Sequence, residues 1–145
     1  MNPVFEKLAA VHLREVLEIE TVSFPHPWTR ALFEREINFS LSHFFVMLIE
    51  GRIAGYGGYW QVLDEGHIVS LAVHPGYRRQ GLGRAALQFL IDEMKQYAIV
   101  KILLEVRRSN VGAQRLYASY GFVVNGVRPQ YYQDEDAVLM ERILT

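Results

Sequence analysis

The sequence contains no cysteine. That excludes disulfide bonds, thiolate metal ligands and an acyl-enzyme on sulfur, so any acyl transfer here must proceed by another route. Long apolar runs are missing as well. The cleanest, Phe44 to Ile49, falls far short of the roughly 20 residues of a membrane-spanning helix. The opening Met1-Asn2-Pro3-Val4-Phe5-Glu6-Lys7 has no apolar segment of the signal-peptide kind, so the chain is expected to be neither targeted nor anchored, and to be cytoplasmic. An excess of charge is also wanting: 15 Lys and Arg stand against 16 Asp and Glu, a formal net charge of −1. This balance gives no general attraction to nucleic acid or to an anionic membrane, and neither is expected as a partner. Five histidines (His12, His26, His43, His67, His74) are scattered with no pair at metal-ligand spacing. No metal site is expected, and they read as surface or loop residues.

What remains is enough for a folded core. Half of the 145 residues are apolar, and a chain of this length buries roughly 70% of its unfolded surface, which fits one domain over 1–145. Val4 to Leu8 reads as a short strand, followed by apolar residues at helical spacing from Val11 to Val22. Pro25 and Pro27 break that helix, and a second helix is predicted over Thr29 to Asn38. His43 to Glu50 and Ile53 to Val62 read as a hairpin across Gly51-Arg52, and a further strand ends in Ile68-Val69-Ser70-Leu71-Ala72-Val73. A helix with Ala86, Leu87, Leu90, Met94 and Tyr97 on its apolar face comes next. Lys101 to Arg107 alternates, with Ile102, Leu104 and Val106 on one face and Leu103, Glu105 and Arg107 on the other. Ser109 or Asn110 caps a short helix that stops at Gly121, and strands near Phe122 to Val127 and Ala137 to Arg142 complete a mixed α/β chain.

The most informative segment is His74-Pro75-Gly76-Tyr77-Arg78-Arg79-Gln80-Gly81-Leu82-Gly83-Arg84, between a strand and a helix. Glycines let a backbone approach a phosphate, and the helix N-terminus offers free N–H groups and a favourable dipole. With Arg78, Arg79 and Arg84 alongside, a pyrophosphate ligand is the natural reading. A plain turn leading into a helix, with solvated arginines, is the bland one. A P-loop needs a Lys-Ser or Lys-Thr after the glycines, and none is present. Gly81-x-Gly83-x-x-Ala86 also matches a dinucleotide fingerprint, with Glu105 downstream for a ribose. Against it, seven residues separate Val73 from Gly81, and only some forty come after Glu105.

Arg78-x-x-Gly81-x-Gly83 after Leu71-Ala72-Val73 resembles the acetyl-CoA signature of the GNAT acetyltransferase superfamily. Ser109-Asn110-x-x-Ala113-x-x-Leu116-Tyr117-x-x-x-Gly121-Phe122 resembles its second signature. Leu63-Asp64-Glu65, Arg79 to Arg84, Leu104-Glu105-Val106-Arg107, Tyr131-Tyr132 and Glu135-Asp136-Ala137 are similar to the bacterial ribosomal-protein-alanine N-acetyltransferases, RimI. The likeness is good over roughly residues 60 to 142.

The resemblance implies an α+β GNAT fold, with a mixed, mostly antiparallel sheet of six to seven strands and about four helices. It implies acetyl-CoA as co-substrate and a protein or peptide N-terminus as acceptor. Leu71, Ala72 and Val73 would pair with the pantetheine arm. Arg79, Gln80, Gly81, Leu82, Gly83 and Arg84 would wrap the pyrophosphate, and Asn110 would bind near the pantetheine. Glu105 would be the general base and Tyr117 the general acid. His26-Pro27 enlarges the usual Phe-Pro-Trp segment and the loop around Tyr131 is short; both departures flank the expected acceptor groove, bordered also by Trp28, Glu65 and Tyr132.

Without cysteine the simplest chemistry is direct attack of an amine on a thioester. Burial of Glu105 near apolar strands is expected to raise its pKa toward the working range; the competing role for Glu105 is an ion pair with Arg107. Tyr117, with an ordinary pKa of about 10, holds a proton at neutral pH; otherwise it is a core tyrosine beside Ala113, Leu116 and Tyr120. A lysine or small-molecule amine acceptor, or a non-catalytic acetyl-CoA-binding module, are the alternative functions.

Overall fold

The computed structural model describes residues 2–144. The strands are β1 (Val4–Lys7), β2 (Ser42–Ile49), β3 (Arg52–Val62), β4 (Glu65–Val73), β5 (Lys101–Arg107), β6 (Val123–Arg128) and β7 (Ala137–Ile143). The helices are α1 (Leu13–Ser23), α2 (Arg30–Asn38), α3 (Leu82–Gln96) and α4 (Val111–Ser119). All seven strands form one sheet in the order β1-β2-β3-β4-β5-β7-β6. Only β4 and β5 run parallel, joined through the α3 crossover; the other neighbours are antiparallel. This is the α+β architecture expected from the sequence, with the strand count at its upper end.

Local chemistry sets the helix ends. Thr29 caps α2 by accepting from the Leu32 N–H at 3.3 Å, and Asn110 caps α4 by accepting from the Ala113 N–H at 3.1 Å. Gly121, at φ +87°, closes α4 in a left-handed turn. Its N–H reaches the Ala118 carbonyl at 3.0 Å, and the Phe122 N–H reaches that of Tyr117 at 3.1 Å. These two bonds form a Schellman motif, and its usual apolar contact is the Phe122 ring against Tyr117, centroids 5.7 Å apart.

Helices cover both faces of the sheet. Leu13, Val16 and Ile19 of α1 and Phe33 of α2 pack on Phe44, Val46, Tyr56 and Ala72. On the other face Leu87, Leu90, Ile91 and Met94 of α3 meet Ile68, Ile102 and Leu104. Leu87 is fully buried, so cutting it to alanine costs about 2–5 kcal/mol. Tyr97 does not belong to that apolar face: it is the C-cap beyond the last turn of α3 and is half exposed.

Candidate active site

The parallel β4–β5 ladder runs from Glu65↔Lys101 to Ile68↔Leu104 and stops. The reason lies on the other edge of β4. There Tyr59 pairs with Ile68 and Gly58 with Ser70, so Val69 is an extra residue. A bulge of this kind bends its strand. It also inverts the facing of the residues beyond it: Ile68 packs with Leu87 and Met94, whereas Ala72 packs in the opposite cluster with Leu13 and Phe33. Past the bulge β4 departs from β5, and a cleft of about 620 Å³ opens there, lined among others by His67, Leu71, Glu105, Asn110, Tyr117 and Tyr131.

Glu105 stands one residue past the end of that ladder. Its carboxylate accepts from His67 Nε2, at 2.9 Å to Oε1 and 2.8 Å to Oε2. The Tyr131 hydroxyl donates to Oε1 at 3.2 Å. Burial alone pushes the Glu105 pKa up; the hydrogen bond and charge of His67, the Tyr131 hydroxyl and the charge of Arg128 outweigh it, and the net shift is downward. The expected rise toward the working range is therefore corrected: Glu105 is a carboxylate held in its ionised form. The Arg107 ion pair is not formed either. Arg107 instead reaches Asp134 at 2.9 Å and Glu135 at 3.0 Å and lies over the Tyr132 ring at 4.5 Å, anchoring the β6–β7 loop.

Tyr117 lines the same cleft from α4. It belongs to the core cluster as well, at 8% exposure, so the core role and the cleft role coincide. Burial pushes its hydroxyl pKa up to about 12, which keeps the group protonated as a donor throughout the physiological range.

The glycine loop leads into α3. Gly81, at φ +75°, is its N-cap with no atom within 4 Å of where a Cβ would sit. The first capping bond of the helix is Ala85 N–H to Gly81 carbonyl at 3.1 Å, so the N–H groups of Leu82, Gly83 and Arg84 precede it and remain for an anion. Arg79 and Gln80 are exposed beside them. Two of the arginines are engaged elsewhere: Arg78 bonds the Val73 carbonyl at 3.2 Å and Ser23 Oγ at 3.4 Å, and Arg84 reaches Ser119 Oγ at 3.4 Å above the Tyr120 ring. Leu71, Ala72 and Val73 pair with Gly57, Tyr56 and Gly55 on one edge; their other edge has left β5. An open strand edge and a helix N-terminus suit a ligand with amides and a pyrophosphate. Asn110 borders the cleft while its Oδ1 caps α4.

On the acceptor side Trp28, Tyr131 and Tyr132 line the cleft; Glu65, at the far start of β4, does not. Sequence reasoning missed His67, which lies half-buried in β4 and bound to Glu105 rather than in a loop. It also missed Glu20, buried in α1, which accepts from the Trp28 N–H at 2.9 Å and from the Tyr56 hydroxyl. A carboxylate among the apolar residues of a helix was the available signal.

A cleft that holds an open strand edge, Glu105 and Tyr117, together with the glycine-capped N-terminus of α3, fits a transferase that takes an acyl-coenzyme A. The profile of the Acetyltransferase (GNAT) family matches residues 13–122. The [Ribosomal protein bS18]-alanine N-acetyltransferase of Escherichia coli K12 is 37% identical, covering 97% of this chain and 96% of its own. The crystal structure of the ribosomal-protein-S18-alanine N-acetyltransferase from Escherichia coli superposes with a TM-score of 0.91 at 34% identity, covering 99% of this chain and 95% of that one. Ard1 from Thermoplasma volcanium gives a TM-score of 0.93 at 26% identity, over 100% and 99%. The chain belongs to the GNAT family and is an acetyl-CoA-using N-acetyltransferase.

Proposed function

We propose that the chain acetylates the N-terminal α-amine of a protein, and that its acceptor is the alanine of ribosomal protein bS18. The observation that carries this reading is the 37% identity to the Escherichia coli enzyme over nearly the whole of both chains. The cleft favours a chain end as well. His26 Nε2 lies 4.0 Å from Asp134 Oδ1, so the segment between α1 and α2 meets the β6–β7 loop across the groove, which suits a terminus better than a mid-chain side chain. The cytoplasm is the compartment this reading requires.

When bound, acetyl-CoA supplies an activated thioester. The β4 edge at Leu71, Ala72 and Val73 holds its amide-bearing arm; Arg79, Gln80, Gly81, Leu82, Gly83 and Arg84 hold its pyrophosphate, and Asn110 contacts it near the arm. Glu105 takes the proton from the acceptor ammonium, directly or through one water, and the freed amine attacks the acetyl carbon. Tyr117 gives its proton to the departing sulfur and is reprotonated by the second proton that the nitrogen sheds as the amide forms. No covalent enzyme intermediate is needed. The test is turnover with acetyl-CoA and a peptide bearing the bS18 N-terminus, beside lysine peptides and polyamines. Faster use of a lysine or polyamine would overturn the acceptor, and acetyl-CoA binding without any turnover would overturn the enzyme mechanism.

A further inference from the structure

His67 and Glu105 lie on neighbouring parallel strands. His67 is paired with Leu103, so Glu105, two residues on, shares its face and stands diagonally across from it. The imidazole bridges that diagonal through one nitrogen, Nε2, which contacts both carboxylate oxygens. The Trp60 ring lies edge to face against it, centroids 6.1 Å apart. A third of the His67 side chain is exposed, against 17% for Glu105, so the histidine stands between the carboxylate and solvent.

We propose that His67 is a positioning residue for acetyl transfer, its Nε2–H fixing the Glu105 carboxylate toward the cleft by holding both oxygens at once. The inference rests on the reading of Glu105 as the base. A glutamate at a strand end has three side-chain torsions to settle, and a donor shared by both oxygens selects one arrangement. The other groups facing Glu105 are Tyr131 and Tyr132 from the β6–β7 loop and Arg128 from the end of β6. Tyr131 bonds only Oε1 and Arg128 acts through its charge, so neither replaces the grip of His67. The same contact helps keep Glu105 ionised, and removing it moves the Glu105 pKa upward.

Three variants test this. In His67→Leu the donor is lost at similar volume; in His67→Gln the amide nitrogen reaches the place of Nε2 without a ring; Glu105→Gln is the reference for the base. Acetyl-CoA affinity by calorimetry is expected to stay at wild type in both His67 variants. The kcat is expected to fall about tenfold or more in His67→Leu and to recover most of that loss in His67→Gln. In ¹³C NMR of glutamate-labelled protein, assigned with Glu105→Gln, the Glu105 carboxyl should titrate at higher pH in His67→Leu than in wild type. Wild-type kcat in His67→Leu, equal damage in both His67 variants, lost acetyl-CoA binding or an unmoved Glu105 titration would each overturn the proposal. A wild-type kcat in Glu105→Gln would instead remove the base reading on which it rests.

Discussion

The Tyr56 hydroxyl on β3 donates to the Glu20 carboxyl on α1, a bond between buried side chains 36 residues apart. The second carboxyl oxygen accepts from the Trp28 N–H, so this one buried acid ties the sheet to the segment that borders the acceptor groove. Tyr56→Phe leaves an oxygen of Glu20 without its partner, at a cost of about 1–3 kcal/mol. In a domain of this size thermal unfolding should drop by roughly 2–4 °C per kcal/mol. Burial raises the Glu20 pKa, against the opposing pull of Trp28 and Tyr56. With the folded value above the unfolded one, the native state binds the extra proton, and stability falls as pH rises between the two values. Losing the Tyr56 bond raises the folded value further, so a melting series across pH should show a wider window of decline in the variant; an unchanged series would detach Tyr56 from Glu20.

Tyr117→Phe removes the proposed proton donor and little else. The ring stays against Phe122 within the Schellman turn, so fold and acetyl-CoA affinity should hold while kcat falls about 10²-fold. Because burial lifts the hydroxyl pKa to about 12, loss of this proton contributes no basic limb to the kcat profile below about pH 11. Steady-state rates across pH, with calorimetry for acetyl-CoA, check both points. An unchanged kcat would confine Tyr117 to the core.

Periodicity and end chemistry made most of the fold legible. The apolar spacing of Ala86, Leu87, Leu90 and Met94 marked α3, and Asn110 and Gly121 marked both ends of α4. Tyr97 was misread because a helical repeat extrapolates past the last helical residue, Gln96, onto the C-cap. The Val69 bulge was invisible, since a bulge is a property of two paired strands and not of either one. That bulge is what ends the β4–β5 ladder and opens the cleft. The low Glu105 pKa was missed for a related reason: its chief counterweight to burial, His67, is 38 residues away and meets it only through the parallel register. Strand alternation offered Arg107, on the same face, as the alternative partner of Glu105, yet Arg107 is held by Asp134 and Glu135.

Gly83→Val should separate ligand binding from folding. A Cβ at Gly83 meets Leu116 Cδ2 at 3.7 Å and Val73 Cγ2 at 4.0 Å, ordinary contacts, and the backbone is not left-handed there. The branched side chain would instead crowd the N–H groups of the first turn of α3, where the pyrophosphate is assigned. Calorimetry should find acetyl-CoA affinity lost, beside a melting temperature close to wild type. Retained affinity would put the phosphates elsewhere.

The last expectation concerns which amine reacts on a peptide that carries both kinds. At pH 7 an α-amine with a pKa near 8 is about one-tenth neutral, while a lysine near 10.4 is neutral in about one molecule in 2,500. The base must make up that difference. Glu105 is poorly equipped to do so, because His67, Tyr131 and Arg128 hold its pKa below the ordinary carboxylate value. The weaker the base, the more the rate depends on an acceptor that gives up its proton easily, which points to the chain terminus. A peptide with a free N-terminal alanine and an internal lysine should therefore gain its acetyl group on the alanine at least about tenfold faster than on the lysine. The gap should narrow as pH rises above 8, where the neutral fraction of the α-amine levels off while that of the lysine continues to grow. Tandem mass spectrometry of early time points locates the group, and a lysine preference at neutral pH would reassign the acceptor while leaving the acetyl-CoA chemistry in place.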